Sequence, residues 1–453
     1  MTRIDKLIFL MLPVTLVVMT MLYGGVHQPV LVLFYLLILG LVVLWSVEGW
    51  RRRELPLSRS SLQLPLIGLA VYGLVQVMPF GTFTDPAGVT GIPRMISSDP
   101  FATKLAVVQI AAMATFFAFA LAYTNSAARL RRLAAFIAIF GFGYAFFAIL
   151  QSVLSPEAIY GIYKPVAARP FGTFVNRNDF AAMMVMLASV PLGMLFSGAV
   201  PRERRLLYIV AVALMGASVL LSQSRGGLVA FVCEIILLVI LTSQAHGRKK
   251  LVLKAALSLL FLLAALGGAI FVGGDTSLVR FGGNDVTAEA PTETTSRFHI
   301  WTATMRVIAN NIPFGAGLGA FPAVYPQFDT SGGSQRVEQA HNDYLQLVSD
   351  AGIIGAVLGA LFIFLWIKQA RTGLSVGNEL CHGIAAGAVA GTAAVLLHSA
   401  FDFVLHITAV ALMFLLLLAM LVASGRQYDD DAKTDGPRPR RKGSVSSMRP
   451  RTS

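Results

Sequence analysis

The chain has 453 residues, of which 56% are hydrophobic and 13% charged, and its mean hydropathy is +0.71. A soluble domain carries about 25% charged residues, so this composition excludes a soluble globular protein. It calls instead for a helix bundle in lipid, with every backbone amide satisfied inside its own helix. The net charge of +13 and the two cysteines, Cys233 and Cys381, decide less by themselves. The cysteines are too few and too far apart for a disulfide framework or a zinc motif.

In chain order, the apolar runs long enough to cross a hydrocarbon core of about 30 Å predict about twelve spans. They fall near 7–24, 30–48, 62–78, 105–123, 133–153 and 180–198, then near 206–222, 226–243, 251–273, 344–367, 379–400 and 403–424. The first is read as a span rather than a removable signal, because it lacks a small-residue cleavage site. With both termini in the cytoplasm, the inner segments hold Arg3 and Lys6, Arg51 to Arg53 with Arg59, and Arg129, Arg131 and Arg132. The remaining inner segments hold Arg202, Arg204 and Arg205, then Arg248 to Lys250 with Lys254, then Lys368 and Arg371, and finally the tail. Together these are 26 of the 36 Lys and Arg. This is the positive-inside bias. The net charge is therefore a topology signal, with lipid rather than nucleic acid as the surroundings it implies.

The chain thus reads as an all-α integral membrane protein, with a membrane domain over 1–424 and a tail over 425–453. The tail sets a DDD run beside PRPRRK, cannot bury a core, and is expected to be disordered in the cytoplasm. The outer loops are uneven. The longest, about 274–343, has the length of a functional loop.

Within that loop, Ser296 to Asn311 reads as a short amphipathic helix. Phe298, Trp301, Met305 and Ile308 recur at helical steps, Ser296 is placed to cap the start, and the aromatic face is expected to lie at the membrane surface. Pro313 to Gly319 carries glycines at alternate positions. With no preceding strand it is a tight turn, not a nucleotide loop. Asp343 followed by Gln346 reads as a capping box, which puts His341 just ahead of a helix start. There it serves either as a helix-end residue or as a catalytic group. Arg225, in the short Ser222–Gly227 turn, sits at or near membrane depth, which is costly and is a functional signal by default. Snorkelling to the headgroups is the competing reading. His398, Asp402 and His406 are spaced by four, but they straddle a turn between two spans and so read as a polar structural corner. Glu234 is the clearest acidic residue near mid-membrane.

Taken in order, these pieces resemble the O-antigen ligase and polymerase superfamily of bacterial membrane glycosyltransferases. The resemblance rests on Gly172-Thr-Phe-Val-Asn-Arg-Asn-Asp179, the Ser-Arg-Gly turn at 224–226, Ser296-Arg297 leading to Trp301, and Pro313 to Phe321. It continues with His341-Asn-Asp-Tyr-Leu345 and His398-Ser-Ala-Phe-Asp402, over roughly residues 170 to 405. It implies a multi-pass inner-membrane enzyme with a periplasmic active site. Such an enzyme moves a glycan from an undecaprenyl-diphosphate carrier to an acceptor hydroxyl, on a further glycan, on lipid A-core or on protein.

The resemblance also implies roles. His341 would be the base, Arg225 and Arg297 would hold the diphosphate, and Arg177 would add a phosphate contact. Asn342 and Asp343 would position His341, and the transfer would be inverting, with no cofactor and no metal. The rival reading from another class is a polytopic transporter or a lipid-linked glycan flippase. Such proteins place their polar groups near the midplane, whereas here most lie at the outer ends of spans.

Overall fold

The computed structural model describes residues 2–166, 168–243, 297–330 and 336–434. Among them, ten helices are long and apolar enough to cross a membrane, and the only strands are a two-residue pair, Thr82–Phe83 against Ile92–Pro93. The protein is an all-α integral membrane protein.

The long helices are α1 (Arg3–Met21), α2 (Gln28–Arg52), α4 (Pro100–Tyr123), α5 (Ala127–Leu154), α6 (Arg177–Ser197) and α7 (Arg205–Leu221). They continue with α8 (Arg225–Ser243), α10 (Asp343–Leu374), α11 (Glu379–His398) and α12 (Thr408–Thr434). Helix α3 (Leu64–Gln76) is shorter, and α9 (Arg297–Asn311) is the amphipathic one. The span expected near 251–273 lies outside the described residues, as does Ser296, the expected cap of α9. Helix α12 continues to Thr434, since Gly425 to Thr434 contains no proline and no second glycine to stop it.

Small residues build the centre. Helices α6 and α11 pack against each other along Gly193, Gly383, Gly387 and Gly391. A Cβ on Gly193 would lie 2.3 Å from the Gly383 carbonyl oxygen, and one on Gly387 would lie 2.6 Å from that of Ser189. Lipid supplies no hydrophobic drive between helices, so such close backbone contact is what holds them. Helix α6 and the membrane stretch of α12 are buried almost all round, whereas α2 turns Val32, Leu36, Leu39 and Val43 outward.

Helix ends are capped as their sequences allow. Asn176, Asn342 and Asn378 accept backbone N–H groups at the starts of α6, α10 and α11. The expected capping box at Asp343 is corrected by one residue. Asn342 is the cap, bonding the amides of Tyr344 and Leu345. Gln346, one position too far along to close a box, accepts instead from the amide of Ala340 at 2.7 Å. Arg129, one of the basic residues counted for topology, is buried and paired with Asp5.

The glycine turn at 313–319 has a structural partner. Helix α10 is interrupted at Gly352, with φ 58° and ψ −143°, and the turn fits into the break. Ile353 donates to the Pro313 carbonyl at 2.9 Å, and Ala316 and Gly317 donate to the carbonyls of Ser349 and Asp350. Irregular backbone at this depth is satisfied by other protein backbone, as lipid requires.

Candidate active site

At one end of the bundle, the starts of α6, α8, α9 and α10 meet the corner 399–407 that joins α11 to α12. Asp402 occupies the middle of this meeting and is 1% exposed. Its Oδ1 lies 3.2 Å from His341 Nδ1, and its Oδ2 lies 3.2 Å from the Arg297 guanidinium. The side-chain amide of Asn178 also donates to Oδ2. Burial opposes ionisation of Asp402, but the hydrogen bond from His341 and the positive charge of Arg297 outweigh it and hold the carboxyl below its ordinary range.

His341 precedes α10 in a left-handed conformation, with φ 49°. That backbone is uncommon outside glycine and is held here from three sides. Trp301 of α9 reaches the His341 carbonyl at 3.4 Å, Phe403 meets the ring edge-to-face at 4.9 Å, and Asp402 takes Nδ1. An ionised carboxylate only accepts, so Nδ1 carries the proton. Nε2 is then left with its lone pair. The ring is one-third exposed.

Arg225 opens α8 and is exposed. The preceding Ser224 hydroxyl accepts the amide of Gly227 at 3.1 Å, an N-cap, and donates to Asn178 Oδ1 at 2.8 Å. The following residue, Gly226, packs on the buried His398: a Cβ there would lie 2.7 Å from the imidazole Nε2. Three sequence candidates, Arg225, Arg297 and His341, are thus connected through Asp402 and Asn178.

The other candidates stand differently. Arg177 opens α6 beside Asn178 and is partly buried. Asn342 caps α10 and donates to the Ala400 carbonyl at 2.9 Å. Asp343 turns away from His341 to His406 Nδ1 at 2.6 Å, also accepts the Leu405 amide, and donates its own amide to Ser399. Both residues therefore clamp the 399–406 corner, and with it Asp402, against the start of α10.

The corner at 398–406 is polar as expected, and it carries Asp402, to which both His341 and Arg297 attach. The sequence signal was the His-Ser-Ala-Phe-Asp run itself, whose spacing by four distracted from the aspartate. Helix α9 packs Ile300, Ala303, Thr304, Val307 and Ile308 toward Phe321 and Tyr325, while Phe298 and Met305 of the expected stripe point out, as a face lying at the membrane surface would. Of that stripe, only Ile308 is buried.

A cavity of about 790 Å³ opens between α2, α3, α4, α10 and α12. Its walls are mainly apolar, with Asp343, His406, Ser399 and Gln339 at the end near the site. Asp343 and His341, two residues apart, thus face the cavity and the Asp402 cluster respectively.

Residues 210–360, one-third of the chain, match a family model described as O-antigen ligase. Over that stretch the chain is similar to the O-antigen ligase family, which supports the resemblance drawn from the sequence. The matched stretch contains Arg225, Arg297 and His341, whereas Asn178 and Asp402 lie outside it and are joined to it only by the fold. No curated protein matches the chain. With the ten apolar helices, the match supports a membrane glycosyltransferase of the O-antigen ligase or polymerase type.

Proposed function

We propose that the protein transfers a glycan from undecaprenyl diphosphate to an acceptor hydroxyl at the periplasmic face of a bacterial inner membrane, with both termini in the cytoplasm. The observation that carries this reading is the single carboxylate, Asp402, bonded to both His341 and Arg297. It sets a base and a phosphate-binding cation side by side.

His341 Nε2 takes the proton of the acceptor hydroxyl as its oxygen attacks the anomeric carbon. The bond from that carbon to the diphosphate oxygen breaks, and its electron pair leaves with the diphosphate. Attack opposite the leaving group inverts the anomeric centre. Asp402 steadies the imidazolium formed at His341 by accepting from Nδ1–H. Arg297 and Arg225 meet the developing negative charge, for which planar guanidinium groups are suited, so the proposed transfer uses no metal. Arg177 adds an auxiliary phosphate contact. The apolar cavity beside Asp343 offers a bed for the polyprenyl chain. Ligation to lipid A-core and polymerisation of repeat units share this donor chemistry and differ in acceptor.

The transporter or flippase reading gains no comparable support. Among the described residues neither oxygen of Glu234 has a hydrogen-bond partner, and Glu234 lines neither the large cavity nor the Asp402 cluster.

The test is glycan transfer in reconstituted membranes with undecaprenyl-diphosphate-linked oligosaccharide and EDTA, comparing wild type with Arg225→Ala and Arg297→Ala. The expected result is transfer that survives chelation and falls roughly a hundredfold in each variant. Product size then separates polymerase from ligase. Lipid-linked glycan crossing between leaflets with no transfer would overturn the reading in favour of a flippase.

A further inference from the structure

Asn178 is not a base, not a cation and not part of the matched family stretch, yet it sits between the two halves of the site. Its Oδ1 accepts from Ser224, whose hydroxyl also caps α8 immediately before Arg225. Its Nδ2 donates to Asp402 Oδ2, the oxygen shared with Arg297. The amide has only one workable orientation. An ionised Asp402 cannot donate, so it must receive Nδ2–H, and the Ser224 hydroxyl is left to donate to the carbonyl.

These helix starts come from separate stretches of the chain. Arg225 opens α8, Arg297 opens α9, His341 precedes α10, and Asp402 lies beyond α11. Asn178, at the start of the central and almost wholly buried α6, is the side chain that ties the Ser224–Arg225 turn to the Asp402 carboxylate. We infer that Asn178 is a positioning residue that fixes the Arg225 turn relative to the Asp402–Arg297–His341 group. This rests on the reading under Proposed function and adds to it a residue that touches no substrate.

Geometry also says which replacement is informative. The groups facing Asp402 are Asn178, Arg297 and His341 by direct bonds, with His398 and Asp179 close by. Asn178→Asp sets a carboxyl directly against Asp402. Two carboxylates at that distance do not both ionise readily, so one proton is retained to higher pH. While protonated, the new side chain donates to Asp402 as the amide does. Once ionised, it repels Asp402.

The experiment compares wild type with Asn178→Asp and Asn178→Ala in two readouts. The first is thermal stability in detergent from about pH 5 to about pH 8. The folded Asn178→Asp variant holds a proton that the unfolded chain releases, so its stability relative to wild type should fall as pH rises, and that of Asn178→Ala should not. The second is the pH–rate profile of transfer. Asn178→Asp should gain a descending limb toward alkaline pH, while Asn178→Ala should lose roughly tenfold to a hundredfold in kcat at every pH, with a smaller change in donor KM. Stability and rate profiles that both run parallel to wild type in Asn178→Asp would overturn the assignment. If wild type transfers nothing while the pH-dependent instability of Asn178→Asp persists, the link between Asn178 and Asp402 stands and the proposed function falls.

Discussion

His341 Nδ1 lies 3.2 Å from Asp402 Oδ1, across 61 residues of sequence that contain the whole of α10 and α11. The contact decides which imidazole nitrogen does chemistry, since the proton on Nδ1 is committed to the carboxylate and Nε2 is free to accept one. Removing the ring should therefore remove proton transfer while leaving the phosphate cations in place. His341→Ala is expected to lose roughly a hundredfold to ten-thousandfold in transfer rate, with donor binding retained. Initial rates and donor binding, measured on the same reconstituted sample, check this. A full rate in His341→Ala would place the base elsewhere.

Asp402→Asn keeps the size of the side chain and removes its charge. The new amide can donate to His341 Nδ1, which favours the tautomer with its proton on Nε2, the wrong nitrogen for a base. Arg297 loses its ion pair at the same time. Transfer should fall at least roughly a hundredfold, and an unchanged rate would show that the pairing is not used. A pH signature accompanies the loss. The folded carboxyl titrates below its ordinary value, so its stabilisation is complete above the unfolded value and disappears as pH falls through the folded one. With an unfolded Asp near 3.9, thermal stability of wild type should decline below about pH 4 more steeply than that of Asp402→Asn.

The membrane class and most span positions were legible in the sequence, because hydropathy and basic-residue placement act locally along the chain. Arg225 stood out as a costly residue near membrane depth and His341 as a residue just ahead of a helix start, while Arg297 came from the family resemblance. Asp402 was read only as part of a polar corner, and Asn178 only as one residue in a run. Their importance lies in contacts 224 residues apart along the chain, which no local pattern reports. The shift of the cap from Asp343 to Asn342 has a similar origin. Either residue type can cap, and the corner at 399–406 recruited Asp343 for His406. The spacing gave the outward stripe of α9 at Phe298 and Met305 but not its packed side, because burial against Phe321 and Tyr325 is set by distant residues.

The scaffold beneath the site makes its own prediction. Gly387 of α11 faces Ser189 and Val190 of α6 so closely that a Cβ would meet backbone at 2.6 to 2.7 Å. Backbone cannot yield as a flexible side chain can. Gly387→Val should therefore spread α6 from α11 at a cost of about 1–3 kcal/mol or more, seen as a lowered thermal midpoint or loss of the monodisperse fraction in detergent. Gly143, on α5, has nothing within 4 Å of an added Cβ, and Gly143→Ala is the control expected to change neither. Equal behaviour of the two variants would argue against close α6–α11 packing.

The last prediction concerns the clamp that holds the Asp402 corner. His406 Nδ1 and Asp343 Oδ1 lie 2.6 Å apart. His406 lines the mainly apolar cavity, and burial there works against its charged form. The hydrogen bond to Asp343 and the negative charges of Asp343 and Asp350 more than offset this, and the imidazole titrates above its ordinary value. A histidine raised in the folded state binds a proton that the unfolded chain gives up earlier. Its contribution is therefore complete below the unfolded value near 6.5 and is lost as pH climbs through the raised one. Thermal stability of wild type should fall as pH rises above about 6.5, and His406→Gln should flatten that fall while starting from a lower midpoint. Because Asp343 also carries the Leu405 amide and donates to Ser399, the corner should loosen together with the pair. Hydrogen exchange at 399–406 should then rise over the same pH range in wild type. A pH dependence as steep in His406→Gln as in wild type would mean that the pair does not hold the corner.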